Sequence, residues 1–358
     1  MRLGAYYWDG WYEPLPHWTQ RLMNEFPNRM PVWGWMGGTV SNMEMQIDLA
    51  ADAGLEYFSF DWYYPQHGKI SGMNDAVDRF LKSKNRGRMS FCLLVANHDG
   101  GRIFRDKWED FCRMILPYLT APEALKVDGR PVVMIFAPEN LAPDLGSHEE
   151  CRKCVAYLND LARKNGLPGV YLVASCHILP VEEETLEPSR NPAQWDEYCR
   201  DMEEMGFDAL SGYNYHRLNL KKGDFDNLIY PFEQLSADYA YCWDMFAAHS
   251  RIKYLPCLNG GWDCRPWEET DRSDYKGLGA TPSCYSPDRT PYTQYKHVRE
   301  AGAWMKAHAD RVCDDLAIIY AWNENGEGGF IEPTVGNGDT ILKAVGRAVR
   351  ETNENRYA

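Results

Sequence analysis

The sequence predicts a closed (β/α)8 TIM barrel, and three observations carry that reading. Short apolar runs alternate with amphipathic helical stretches eight times along the chain. Several runs, MSFCLLVA and PVVMIF among them, are hydrophobic throughout rather than in alternation. Strands buried on both faces of a parallel sheet read that way. The chain's 358 residues show no linker, repeat or low-complexity tract, so a single catalytic domain over 1–358, with long βα loops, is expected.

The expected strands are Leu3–Trp8, Tyr57–Trp62, Met89–Ala96, Pro131–Phe136, Val170–Ser175, Ala209–Asn214, Tyr254–Leu258 and Leu316–Trp322. Helix punctuation falls between them. Ser41 and Glu44 fit a capping box with Gly54 as the stop, and Ser147 and Glu150 repeat it with Gly166 as the stop. Thr290 before Pro291 reads as an N-cap and first helical residue. Ile341, Leu342, Val345, Ala348 and Val349 share one face of the last helix. Four connections are long, at 9–41, 176–195, 215–231 and 259–290. In a barrel such loops gather at the carboxyl ends of the strands, where active sites form.

Composition removes several function classes. The net charge of −14 offers no basic footprint for nucleic acid. No G-x-G-x-x-G follows the first strand, so dinucleotide binding has no support and no cofactor is expected. No signal peptide or membrane-spanning run is visible, which points to a cytoplasmic protein, or to an exported one whose leader is absent. The 11 cysteines lack framework spacing and read as reduced thiols. Cys151 and Cys154 form a C-x-x-C, but they belong to the apolar stripe Cys151, Cys154, Val155, Leu158, Leu161, Ala162 of a helix. The 13 Trp and 22 Tyr could stack on sugar C–H faces or simply fill the core.

The chemistry concentrates where the eighth strand ends. The apolar run Ile318-Ile319-Tyr320-Ala321-Trp322 stops at Asn323-Glu324-Asn325-Gly326-Glu327-Gly328-Gly329. A barrel places its catalytic groups at such a turn. Glycosidic cleavage needs one carboxyl to protonate the leaving oxygen and a second as base or nucleophile. Two Glu three positions apart can face one pocket, and the glycines permit a tight backbone. Spacing alone is equally consistent with solvated acids at a helix start.

The segment WNENGEGGFIEP resembles the W-N-E-W-x-E-G-x-x-x-E-P signature of glycoside hydrolase family 99 and the related WbsX-like proteins of bacterial polysaccharide loci. GAYYWDGWY, AGLEYFSFDWYYP, VDGRPVVMIF and LNGGWDCRPW are similar, in order, to the family's first, second, fourth and seventh strands. Asn325 departs from the Trp of the relatives, and Gly326 replaces the His of family 99 proper. The resemblance implies that Glu324 removes the proton of a sugar 2-hydroxyl, whose oxygen then displaces the leaving group. It implies that Glu327 protonates the leaving oxygen and later activates water, with retention of the anomeric centre. That chemistry asks for a raised pKa on Glu327 and an ionised Glu324 beside it.

Other strand ends supply candidate substrate-binding residues: Tyr7, Trp8 and Asp9, then Asp61 and Trp62, then Asn97 and His98. Tyr213, Tyr215 and His216 end the sixth strand, Trp262 and Asp263 follow the seventh, and Asn323 precedes Glu324. Amides, carboxylates and aromatic rings suit a hydroxyl-rich ligand. No H-x-H or H-E-x-x-H occurs, so no metal is expected. Cys176-His177 reads as a buried thiol beside a rim histidine rather than a nucleophile. The reading is a retaining α-glycoside hydrolase acting on mannose-like sugars of an oligo- or polysaccharide. Its rivals are a polysaccharide-locus protein that transfers or remodels glycan, and an inactive carbohydrate-binding barrel.

Overall fold

A computed structural model describes residues 1–11, 17–35, 38–65, 72–98, 100–182, 188–215, 229–268 and 285–354. Eight β/α units follow one another among them. The strands are β1 (Arg2–Tyr7), β2 (Leu55–Trp62), β3 (Ser90–Ala96), β4 (Arg130–Phe136), β5 (Tyr171–Cys176), β6 (Ala209–Gly212), β7 (Lys253–Tyr254 with Cys257–Asn259) and β8 (Leu316–Tyr320). The helices that follow them are α1 (Val40–Asp52), α2 (Asp75–Lys82), α3 (Trp108–Leu119), α4 (His148–Lys164), α5 (Pro192–Met205), α6 (Phe232–His249), α7 (Pro291–Ala307) and α8 (Thr340–Glu354).

Every rung between these strands is parallel. The sheet closes through β7, whose first piece pairs with β6 and whose second pairs with β8. The break between the pieces falls at Leu255-Pro256, because proline has no N–H for the ladder. The flanking bonds still form: Leu255 N–H donates to Leu210 O at 2.8 Å, and Ile318 N–H to Pro256 O at 2.9 Å. A closed barrel leaves no sheet edge exposed.

Side chains fill the barrel. From β1, Tyr6 crosses to bond Ser175 Oγ at 2.9 Å and to donate to Gly212 O at 2.6 Å. Tyr57 donates to Ala317 O at 2.8 Å, and its ring lies where a Cβ at Gly4 would stand. Phe58, of the opposite parity, packs outward, as does Trp322 beyond the end of β8, whose Nε1 donates to Gln46 on α1 at 2.8 Å. Each such fully buried aromatic contributes about 2–3 kcal/mol of burial free energy.

Most of the expected punctuation holds, with one shift. Ser147 caps α4, accepting from Glu150 N at 3.2 Å, and Thr290 caps α7 in a box closed by Thr293. The N-cap of α1 is Thr39 rather than Ser41, and its side chain accepts from Asn42 N at 3.2 Å. Glu44 instead accepts from Lys84 N at 2.9 Å, tying α1 to the turn after α2. At the foot of the barrel the Met1 amine donates to Asn353 Oδ1 at 2.7 Å and Asn353 Nδ2 returns a bond to Met1 O at 3.1 Å. None of the described helices is long and apolar enough to cross a membrane.

Candidate active site

Beyond β8 the chain makes a small antiparallel hairpin, with Asn323 opposite Phe330 and Glu324 opposite Gly329. Its tip, 325–328, is sewn to both neighbouring strand ends. Asn323 Oδ1 accepts from Trp8 N at 2.9 Å and its Nδ2 donates to Trp8 O at 2.7 Å, so the amide imitates a ladder rung to β1. On the other side Asp263 N–H, after β7, donates to Glu327 O at 2.6 Å. Arg29 reaches in from the first long loop and donates to Asp263 O at 2.9 Å and Asn325 O at 3.1 Å. The Asn325 side chain answers by donating to Arg29 O at 2.6 Å. Asn325 is wholly buried, and its side chain serves both that clamp and Glu332.

Two aromatic rings explain two of the turn's glycines. A Cβ on Gly326 would overlap the Trp267 indole, and one on Gly329 would overlap the Tyr320 ring. Gly328 has φ +78°, in the left-handed region that favours glycine.

The two acids lie on one site, each with its own phenol. Tyr213, just past β6, donates to Glu324 Oε1 at 2.8 Å and stands 3.4 Å from Asp61 Oδ2. Tyr320, the last residue of β8, donates to Glu327 Oε2. The Tyr213 and Tyr320 rings are 5.0 Å apart, and Trp262 flanks Tyr320 at 6.4 Å. On the far side of Tyr213, the Phe136 ring is 5.0 Å away, with His177 at 4.6 Å and His98 at 5.5 Å from Phe136.

Burial dominates the electrostatics. It pushes Glu327 up to about 7, against the lowering effect of the Tyr320 bond. Burial pushes Glu324 well above the usual carboxylate range as well; the charges of Glu327 and Asp61 add to the rise, and the Tyr213 bond opposes it. Asp61 is raised by the same desolvation, and its buried Oδ1 has no hydrogen-bond partner among the described residues. Three carboxyls in one desolvated cluster do not all ionise together. The raised Glu327 agrees with a proton donor. The direction on Glu324 is opposite to the expected ionised base, because its full burial outweighs the phenol's support.

The structure brings Asp61, Tyr213 and Trp262 to Glu324 and Glu327, with Trp8 at the rim. Trp8 bonds Tyr63 through Nε1 at 3.0 Å and lies 6.1 Å from Trp267, the ring over Gly326. Half-buried His98 belongs to the same mouth through Phe136. The other expected binding residues are placed elsewhere. Tyr7 packs on Phe58 and Phe60, and Trp62 on Phe111 of α3, both on the outward face of the sheet. Tyr215 is buried against Tyr239 and Phe246 of α6, with its hydroxyl 2.9 Å from that of Tyr254. Asp9 is ion-paired with Arg79 of α2, and Asp263 with Arg29 and Arg265. Asn97 joins β3 to the end of β4 by donating to Ala137 O at 3.0 Å. Asn323 is consumed by Trp8, and His216 lies outside the described residues.

Tyr320 and Trp267 were missed by sequence reasoning, whereas His177, read as a rim histidine, stands at the mouth against Phe136. Tyr320 sits inside an apolar run and gives no signal of its own. Cys176 lies in the wall, and burial pushes its thiol up, away from nucleophile chemistry. The ten described cysteines are all buried and none is in a disulfide. Among the described residues one His/Asp/Glu trio, His148, Asp201 and Glu204, has metal-ligand proximity, and it lies on α4 and α5 rather than on the Glu324–Glu327 turn.

The chain is similar to several proteins of known structure. It aligns with the GH99 endo-alpha-mannosidase from Bacteroides thetaiotaomicron at 18% identity and a TM-score of 0.62, over 100% of this chain and 99% of that one. A protein described as glycoside hydrolase-like matches at 15% identity and a TM-score of 0.63, over 97% of this chain and 93% of its own. At these identities the likeness shows the shared barrel fold. No curated protein matches the sequence. A family model described as Glycosyltransferase WbsX matches residues 37–345. That span is most of the chain, and the protein belongs to this family.

Proposed function

We propose that the protein is a glycoside hydrolase that cleaves an α-linked, mannose-like bond in an oligo- or polysaccharide with retention. The observation that carries this reading is the pair Glu324, buried, and Glu327, half-buried, on one turn, each held by a separate tyrosine. Cleavage needs one carboxyl that gives a proton and one that accepts a proton, and Glu327, pushed up to about 7, suits the first part.

In the proposed reaction Glu324 accepts the proton of the sugar 2-hydroxyl as that oxygen attacks the anomeric carbon. Glu327 gives its proton to the departing oxygen. Water, deprotonated by Glu327, then opens the strained intermediate, and the 2-oxygen recovers its proton from Glu324. Burial raises both acids in the free site, so Glu324 must give up its proton before it can act as base. A 2-hydroxyl donating to Glu324 adds a second donor beside Tyr213, and hydrogen bonds to an anion favour the anionic form. Trp262 and Trp8 offer apolar faces, and Asp61 and His98 polar groups, for the remaining hydroxyls.

A second reading is transfer of the glycosyl group to another sugar, favoured by the description of the family. The same intermediate would serve it, with an acceptor hydroxyl in place of water. The deciding experiment is proton NMR of early product from defined α-mannosides, with and without an acceptor glycan. Free sugar of retained configuration supports hydrolysis. Elongated glycan alone supports transfer, and no turnover of any α-linked substrate overturns both.

A further inference from the structure

Tyr320 stands out because the reaction scheme above gives it no task. We propose that it is a positioning residue for Glu327: its hydroxyl, held by Asn214, occupies Oε2 and leaves Oε1 to carry the transferable proton. The inference rests on the hydrolase reading of the same site and adds a residue to it.

The geometry makes a directed chain. Asn214, just past β6, hydrogen-bonds the Tyr320 hydroxyl, and that hydroxyl donates to Glu327 Oε2. A protonated carboxyl has one hydrogen to place. With Oε2 accepting from the phenol, that hydrogen goes to Oε1. A donor on the phenolic oxygen polarises its O–H and strengthens the next bond along. The ring cannot swing aside. It is buried, packed 5.0 Å from Tyr213 and 6.4 Å from Trp262, and Gly329 has no Cβ precisely where the ring edge lies.

The bond also keeps Glu327 usable in both directions. Burial pushes this carboxyl up, and Tyr320 is the group that opposes the rise. Without the phenol Glu327 would hold its proton too tightly to act as base in the second step. The other groups around it do not replace Tyr320. Glu324 and Asp61 are acids, Tyr213 is bonded to Glu324, and Asp263 meets Glu327 through its backbone while its carboxylate pairs with Arg29 and Arg265.

The test is Tyr320→Phe, which keeps the ring and removes only the hydroxyl. The first readout needs no substrate: the titration of Glu327 in protein carrying 13C at the glutamate carboxyl, its signal identified by loss in Glu327→Gln. The midpoint is expected to rise by about one pH unit, the worth of one hydrogen bond to a charged group. The alkaline limb of kcat/KM should move with it, while kcat falls about 10-fold to 100-fold and KM stays nearly constant. Asn214→Ala should shift the midpoint in the same direction by less, and it serves where the phenylalanine variant does not fold. An unmoved midpoint in both variants overturns the proposal, even if kcat falls, since a merely structural role would lower the rate alone. If the wild-type protein cleaves no α-glycoside, the hydrolase reading fails separately and the titration still decides the role of Tyr320.

Discussion

Tyr213 donates its phenolic hydrogen to Glu324 Oε1 at 2.8 Å, and this bond joins the end of β6 to the hairpin beyond β8 across the mouth of the barrel. The same hydroxyl stands 3.4 Å from Asp61 of β2. One phenol thus links acids from two further strands, which is how residues far apart in sequence come to titrate as a group.

The two acids should be separable by leaving group. Glu324→Gln and Glu327→Gln are each expected to lower turnover about 10²–10⁴-fold on a natural α-linked substrate. An activated aryl glycoside needs little protonation, so it should partly restore Glu327→Gln and leave Glu324→Gln slow. A 2-deoxy substrate should be inert. Initial rates on the two substrate types check this; equal rescue of both variants would remove the division of labour.

Activity should fall as pH rises through about 7, where Glu327 loses the proton that the departing oxygen needs. It should also fall at low pH, when both acids are protonated, with that limb above the ordinary carboxylate range because burial raises Glu324. The profile of kcat/KM for the free enzyme is the measurement. A plateau extending unchanged to pH 9 would contradict the assignment of Glu327 as acid.

Stability, like activity, should fall as pH rises through about 7. Burial raises Glu327 from 4.5 to about 7, so the folded state holds this proton more tightly than the unfolded chain. The associated stability is fully present below pH 4.5 and is lost as pH rises through 7. Glu327→Gln should therefore match the wild type near pH 4 and exceed it by on the order of 1–3 kcal/mol at pH 8. Denaturant unfolding at the two pH values gives the comparison.

Gly329→Ala should cost about 1–3 kcal/mol, since the new methyl must displace the Tyr320 ring from a packed site. It should also lower kcat by disturbing the partner of Glu327. Gly326→Ala should act similarly through Trp267. Thermal unfolding together with turnover would show both losses; a stable and fully active Gly329→Ala would mean the ring is not held as described.

Exhaustive chelation should leave turnover intact, because two carboxyls and a neighbouring hydroxyl need no Lewis acid. Loss on chelation with recovery by one divalent ion would require a metal in the reaction.

The sequence by itself determined the barrel and singled out the Glu324–Glu327 turn as the candidate site. Eight buried strands and their helices are written in local apolar runs, and the Gly-rich Glu324–Glu327 turn interrupts the last run in plain view. What it left open was which strand-end residues face the mouth. Side chains alternate across a strand, but when both faces are buried the apolar pattern carries no parity. Tyr7, Trp62 and Tyr215 accordingly belong to the outer layer, while Tyr320, hidden in a hydrophobic run, meets Glu327. The acids were equally ambiguous. Asp9 and Asp263 look like Asp61 in sequence, yet Arg79, 70 positions away, takes one and Arg29, 234 positions away, takes the other. Only the packing of the barrel's units brings those guanidiniums to their partners, and among the described residues none reaches Asp61, which stands beside Tyr213 and the Glu324–Glu327 pair.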